Sequence, residues 1–75
     1  MRDFEELLVA IYVNTIEADK LFVGHDVLMK RLSIDKQTFL RLLRLLSRRG
    51  FLDTGVVGME RLSEAGIEYV ENNLV

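Results

Sequence analysis

Four long polar side chains in the middle of the chain are spaced so that they could bind an anionic surface rich in hydrogen-bonding groups. They follow an i, i+4, i+7, i+11 pattern and comprise Gln37, Arg41, Arg44 and Arg48, called the basic stripe below. An α-helix turns by about 100° per residue, so these positions fall within roughly 60° of one another. Guanidinium groups pair with guanine or phosphate and an amide pairs with adenine, each through two hydrogen bonds. The pattern predicts a helix with one cationic, hydrogen-bonding face.

The charge distribution concentrates positive charge around this stripe. Residues 30–49 contain seven basic residues and one acid, Asp35, which gives this stretch a net charge of +6. The remaining residues contain three basic residues and eleven acids, a net charge of −8, so the whole chain carries −2. Because ligands respond to local potential rather than to total charge, an acidic chain with this distribution can still attract an anion at one place.

Composition limits the class of protein. The chain has 75 residues, of which 49% are hydrophobic, with no proline and no cysteine. These values predict one folded domain over residues 1–75 rather than disorder, and they exclude disulfides and zinc–thiolate sites. The longest apolar runs span only a few residues, so we expect no membrane-spanning segment, no signal peptide and a cytoplasmic location.

The sequence does not suggest an enzyme. His25 is the sole histidine and has no cysteine or second histidine with which to form a metal or catalytic site. Glutamates at helical spacing near both ends of the chain are typical of solvated helix faces. No glycine-rich phosphate loop occurs. We therefore expect no catalytic residue, no metal, no cofactor and no small-molecule ligand.

Hydrophobic periodicity predicts the elements that carry the stripe. The predicted order is helix, strand, helix, helix, strand, strand, helix, which is an α+β class. In the second helix, Val27, Leu28 and Leu32 are expected to face inward. The predicted segments are a helix from 3 to 15 or 17, a strand at 21–23, helices at 24–32 and 35–49, strands at 51–53 and 59–62, and a helix from 64 to about 73.

Particular residues mark the expected helix ends. Asp3 with Glu6 is expected to form a capping-box-like pair at the first helix. Asp35 and Ser63 carry short side chains that accept hydrogen bonds from the first turns of the third and last helices. Gly50 ends the third helix because it adopts positive φ at low cost. The loop 54–58 is bracketed by glycines and has hairpin length.

The stretch from Leu32 to Leu52 resembles the turn and recognition helix of winged-helix DNA-binding domains. The similarity lies in LSIDKQTF at residues 32–39, in the apolar positions that follow, and in RRGFL at residues 48–52. The segment RLSEAGI at residues 61–67 is similar to the strand-to-helix exit of the same families, which include MarR-like, ArsR-like and PadR-like regulators. The matches cover residues 7–73. The length resembles that of small stand-alone regulators encoded by phages, plasmids and archaeal viruses.

The resemblance implies a winged helix-turn-helix fold and a sequence-specific regulator of transcription, associated with the nucleoid, that binds double-stranded DNA. Its helix at about 35–49 would enter the major groove, which admits one α-helix. By position, the residues expected to face bases are Lys36, Gln37, Thr38 and Arg41. Those expected nearer the phosphates are Arg44 and Arg48, with backbone attraction added by Lys30, Arg31 and Arg49.

Two features leave a second interpretation open. The wing loop Thr54–Gly58 has no lysine or arginine, and Leu40 stands where these families usually have a small or polar residue. Leu40 could contact a thymine methyl group or be covered by another chain. The alternative function is a protein–protein interaction module that binds an acidic partner through the same helix, with Leu40 and Leu45 as its apolar centre.

The terminal helices carry more apolar residues than one contact face requires. These residues either fill a compact monomer or form a two-fold interface, and we expect a homodimer. Two-fold pairing brings two reading helices to successive turns of the groove, about 34 Å apart. The expected interface residues are Val9, Tyr12, Val13, Tyr69, Leu74 and Val75.

Overall fold

The computed structural model describes residues 2–53 and 55–75, so Thr54 of the predicted wing loop lies outside the described residues. Within them, four α-helices and three strands follow one another in the predicted order, which confirms the α+β class. None of these helices has both the length and the apolar character needed to cross a lipid bilayer. The elements are α1 (Asp3–Tyr12), β1 (Val23–Gly24), α2 (His25–Leu32), α3 (Lys36–Arg48), β2 (Leu52–Asp53), β3 (Met59–Leu62) and α4 (Glu64–Asn73).

The three strands form one antiparallel sheet in the order β1–β3–β2. Val23 pairs with Glu60, and Leu52 pairs with Leu62. A strand was predicted at residues 21–23, but β1 begins at Val23, because Val23 is the only residue of that predicted run that pairs with β3. The sheet joins the start of α2 to the β2–β3 hairpin.

Helix α1 lies at the centre of the core. It contacts α2, α3, α4 and β3, because apolar residues occupy most of its circumference. Burial of one leucine or phenylalanine side chain stabilises the fold by about 1.5–3 kcal/mol. The largest fully buried side chains are Leu7, Leu8, Ile11, Leu28, Phe39, Leu46 and Val70.

Helix α1 begins at Asp3, as predicted, but its cap and its C-terminal end differ from the sequence prediction. Asp3 is the first helical residue and not the cap; Arg2 precedes the helix, and its backbone N–H donates to Oε1 of Glu5 at 3.1 Å. At the other end the chain continues as a π-helical turn over Val13–Glu17. The hydroxyl of Thr15 donates to the carbonyl of Ile11 at 2.6 Å, a local bond that competes with the regular helical pattern.

A three-residue turn joins α2 to α3. Ser33 ends α2 in the left-handed conformation, with φ of 54°, and the N–H of Ile34 donates back to the carbonyl of Met29 at 3.2 Å. Asp35 then caps α3, as predicted, by accepting a bond from the N–H of Thr38 at 2.9 Å. Hydrogen bonds from Thr38 hold the pKa of Asp35 below its ordinary value. The turn thus sets the direction in which α3 leaves α2.

The far end of α3 is tied to the start of α4. Gly50 follows α3 with φ of 75°, as predicted. Ser63 caps α4 by accepting from the N–H of Gly66 at 3.1 Å, and its hydroxyl donates to the carbonyl of Gly50 at 2.6 Å. A Cβ on Gly66 would overlap the carbonyl oxygen of Phe51, so only glycine permits this approach.

Two tyrosines connect α1 to α4. The hydroxyl of Tyr12 donates to Glu71, and the hydroxyl of Tyr69 donates to Glu5, each at 2.9 Å. Hydrogen bonds to these carboxylates raise the pKa of both phenols. The two bonds therefore link the first and the last helix of the described chain.

Candidate nucleic-acid interface

The basic stripe lies on the outer face of α3. All four of its side chains are exposed, whereas Phe39, Leu43 and Leu46 on the opposite face are buried in the core. Burial of these three apolar residues fixes the rotation of α3 about its axis, which turns the stripe outward. The structure therefore brings together the four residues that the spacing placed on one face.

The cations of the stripe are not neutralised within the described part of the chain. The ion pairs there join His25 to Glu60 at 2.8 Å and Arg61 to Asp53 at 2.8 Å. Neither pair uses a residue of α3. The stripe therefore presents its positive charge to solvent, where an anionic ligand could meet it.

The other predicted contacts of α3 and α2 divide into two groups. Lys36 at the start of α3 and Lys30 on the last turn of α2 are exposed. Thr38 is half-buried and is occupied by its hydrogen bonds with Asp35. Arg31 is exposed but lines a concavity formed with residues of α1, so it lies on the α1 side of α2 rather than beside the stripe.

Arg49 packs against α1 rather than beside the basic stripe. Its guanidinium lies over the ring of Phe4, 4.6 Å from the ring centroid. The predicted helix reaches residue 49, but α3 ends at Arg48, and Arg49 follows it on the side that faces α1. The cation–π contact holds the Arg49 guanidinium on the α1 side of α3, so we expect it to contribute less to DNA binding than the basic stripe, and its contact with the DNA backbone stays a prediction.

An apolar strip borders the basic stripe. It consists of Val27, Leu40, Val56 and Val57, which are exposed by 49%, 38%, 55% and 100% respectively. Val27 was expected to face inward, but it lies about 100° around α2 from the buried Leu28, and helical periodicity could have revealed this. The strip therefore combines one residue from α2, one from α3 and two from the hairpin loop.

Two grooves meet at Leu40. One, of about 480 Å³, lies between α3 and the hairpin and includes Val56 and Val57; the other, of about 460 Å³, lies between the starts of α2 and α3 and includes Val27. Both also contain Gly58 of the hairpin loop. Leu40 thus forms the ridge between two open depressions beside the stripe.

His25 fixes the hairpin against the helices. Its backbone N–H donates to the carbonyl of Gly58 at 2.9 Å, and its Nε2 lies 2.8 Å from Oε2 of Glu60. The imidazole also packs edge-on against Phe39, with 4.9 Å between ring centroids. Among residues 2–53 and 55–75, no three His, Cys, Asp or Glu side chains are grouped as a metal site would require. The contacts of His25 set the shape of the grooves.

The residues expected at a dimer interface have different environments. Tyr12 is buried, Tyr69 packs on Phe51 with 4.9 Å between ring centroids, and Leu74 packs against the core. Val9 and Val13 are half-buried and line a concavity of about 360 Å³, while Val75 is 67% exposed. Tyr12, Tyr69 and Leu74 therefore pack within a single chain. Sequence periodicity could not distinguish this packing from contacts across a dimer interface.

The surface as a whole offers hydrogen-bond donors and positive charge beside an apolar edge. Such a surface can bind an anionic polymer whose bases or side chains provide acceptors and apolar groups. When the chain is compared with known proteins, no family model, no curated protein and no solved structure matches it. Function is therefore inferred from the geometry and chemistry of this surface.

Proposed function

We propose that the chain is a winged-helix protein that binds double-stranded DNA in a sequence-specific manner and regulates transcription. The observation that carries the proposal is the exposed basic stripe on α3, whose cations form no ion pair within the described residues. A solvated helix face in an acidic protein usually mixes charges of both signs. Every charged residue of the stripe is basic, which favours an anionic ligand.

The arrangement around α3 supports the same proposal. Helix α2, the turn at 33–35 and α3 correspond to a helix-turn-helix, and the β2–β3 hairpin corresponds to a wing. Asp35 caps α3, and the residues that follow it in the first turn, Lys36 and Gln37, are exposed at the protein surface. A recognition helix contacts base edges with its first turns, so this geometry suits entry into a major groove about 12 Å wide.

Each exposed residue has a role that follows from its position. Gln37 and Arg41 lie on the first half of the stripe and would pair with adenine and guanine edges respectively. Arg44 and Arg48 lie further along α3 and would contact phosphates. Lys36 was expected to face bases, but it lies about 100° around the helix from Gln37, so we assign it to a phosphate at the edge of the interface. Base contacts supply sequence discrimination, and phosphate contacts supply affinity and register.

Fluorescence anisotropy with labelled duplexes at several salt concentrations tests the proposal. If Lys30, Lys36, Arg44 and Arg48 each neutralise one phosphate, the logarithm of the binding constant should fall with the logarithm of salt at a slope of about −3.6. That slope means a loss of about 150-fold between about 50 and 200 mM salt. Binding that ignores salt, or stays millimolar at low salt, would rule out the proposal.

Selection of bound sequences from a random duplex pool tests sequence specificity and symmetry. A regulator should enrich a defined site, and a palindromic site would indicate that two copies bind together. Arg41→Ala should reduce discrimination between the selected site and random duplex. Arg44→Ala is the matched control, because it should weaken both duplexes alike.

A protein-interaction module remains the second candidate. The observation that favours it is the apolar strip, since Leu40 and Val57 are exposed and residues 55–58 of the hairpin loop carry no charge. Affinity purification with and without nuclease separates the two functions. A partner recovered in stoichiometric amount after nuclease treatment would favour the module, and a partner lost with the nucleic acid would favour DNA binding.

A further inference from the structure

Leu40 lies between two cations on the surface of α3. Lys36 is one helical turn before it and Arg44 is one turn after it, so the three side chains are successive neighbours along one line of the helix. Leu40 is 38% exposed, and the cations beside it form no ion pair within the described residues. The result is an apolar side chain at the edge of the basic stripe, with positive charge on both sides.

Three acids line the two grooves that meet at Leu40, and none of them forms an ion pair with Lys36 or Arg44. Glu60 and Asp53 line the groove beside the hairpin, where Glu60 is paired with His25 and Asp53 with Arg61. Asp26 lines the other groove with Lys36 and is in no ion pair among the described residues. An occupant of this surface therefore has to present negative charge on either side of an apolar group. Charge complementarity with Lys36 and Arg44 selects that occupant more strongly than the apolar contact alone does.

A DNA duplex has this arrangement in its major groove. Phosphates form the two walls, and the apolar group on the groove floor is the C5-methyl of thymine. Leu40 lies about 40° around the helix from Arg44, so a duplex bound to the stripe also covers Leu40. We infer that Leu40 reads the C5-methyl group of a thymine in the bound site. This inference rests on the proposed function and adds a specific base to it.

Neighbouring elements hold Leu40 in place for such a contact. Phe39 anchors the same turn of α3 in the core, and Gly58 of the hairpin borders Leu40 on the groove side. The bond between His25 and Glu60 fixes that part of the hairpin. A helix position supported in this way needs no rearrangement of the backbone on binding, which limits the entropic cost of the methyl contact.

Replacement of thymine by deoxyuridine tests the inference, because it removes the methyl group and leaves the base pair intact. The probe is the duplex selected by the wild-type protein, remade with deoxyuridine at one thymine at a time. Loss of the methyl contact should weaken binding about fourfold at one position per bound copy, which corresponds to about 0.8 kcal/mol. The other substitutions should have little effect.

The variant Leu40→Ala assigns the effect to this side chain. It should bind the thymine and deoxyuridine duplexes equally, whereas Leu40→Met, which keeps an apolar contact, should retain most of the difference. Leu21→Ala is the matched control, since Leu21 is 73% exposed and borders a cavity that contains no residue of α3. That control should retain the full fourfold effect. Thermal melting of each variant shows whether its fold is intact.

Three results would overturn the inference. If no deoxyuridine substitution weakens wild-type binding, or if Leu40→Ala distinguishes the two duplexes as well as the wild type does, Leu40 reads no methyl group although salt-dependent duplex binding persists. If Leu40→Ala instead abolishes a nuclease-resistant complex with a protein, the occupant of the strip is that protein. Failure to bind any duplex is a different outcome, because it removes the proposed function together with the inference.

Discussion

Arg48 and Arg49 are neighbours in the sequence, yet the structure assigns them to different surfaces. Arg48 belongs to the exposed basic stripe, whereas the guanidinium of Arg49 lies 4.6 Å from the centroid of the Phe4 ring. Substitution of either residue by alanine removes one positive charge, so the two variants have the same net charge as each other. The pair therefore separates the effect of position from the effect of total charge on DNA binding.

The two substitutions should have opposite consequences. Arg48→Ala would remove one of the proposed phosphate contacts, so the salt slope should become shallower by about 0.9 and affinity should fall about eightfold at about 0.1 M salt. The same change should alter the free energy of unfolding by less than about 0.5 kcal/mol, as for most exposed positions. Arg49→Ala should lower the free energy of unfolding by about 0.5–1 kcal/mol, the usual contribution of an exposed cation–π contact.

Arg49→Ala should leave duplex affinity within about twofold of the wild type, because its guanidinium packs on the Phe4 ring and not on the basic stripe. Anisotropy titrations over a range of salt measure the affinities and slopes, and urea unfolding followed by circular dichroism measures stability. Equal losses of affinity in the two variants would show that bulk charge, and not the stripe, attracts the duplex. A larger loss with Arg49→Ala would refute the assignment of the interface.

Three further predictions concern the fold. Gly66→Ala should lower the free energy of unfolding by about 1–3 kcal/mol, because the new methyl overlaps the backbone of Phe51. Gly24→Ala places the methyl in open space and should lower the free energy of unfolding by less than about 1 kcal/mol. Urea titrations measure both values, and equal losses would contradict the predicted overlap at Gly66. Ser33→Gly should raise the thermal midpoint, because glycine avoids a steric cost of about 1 kcal/mol at φ of 54°; a lower midpoint would argue against strain there. The phenol pKa values of Tyr12 and Tyr69 are raised above 10.0, so their stabilisation is full below pH 10 and is lost as pH rises through the folded pKa. The double variant Tyr12→Phe/Tyr69→Phe should therefore lose less stability than wild type in urea unfolding between about pH 9 and 11, and an unchanged pH dependence would count against these bonds.

Helix ends set by a single side chain were predictable from sequence. Asp35 and Ser63 each precede a helical run by one residue and accept a bond from its first turn, and Gly50 follows α3 with positive φ. Each of these helix ends depends only on residues within one turn of it, so distant parts of the chain do not change where the helix begins or ends. At α1 the signal was degenerate, because several acids follow one another, and the carboxylate of Glu5 bonds the N–H of Arg2 instead.

Features that depend on distant residues were not predictable in the same way. Rotation about α3 separates Arg49 from the stripe, but only the folded chain shows that Phe4 lies beneath it. Tyr12 and Tyr69 read as surplus apolar residues until their partners, which are about sixty positions away in the sequence, are known. The basic stripe was predictable because it needs only helical periodicity, whereas the apolar strip needs the mutual placement of α2, α3 and the hairpin.

The two outer strands of the sheet, β1 and β2, contain two residues each. An exposed strand edge can recruit another chain through its unpaired backbone groups, and long edges of this kind seed fibrils. Edges of two residues offer too few such groups for copies of this chain to polymerise by strand addition, although 49% of its residues are hydrophobic. Copies of the chain that bind the same duplex, as proposed above, should therefore not be joined to one another through their sheet edges.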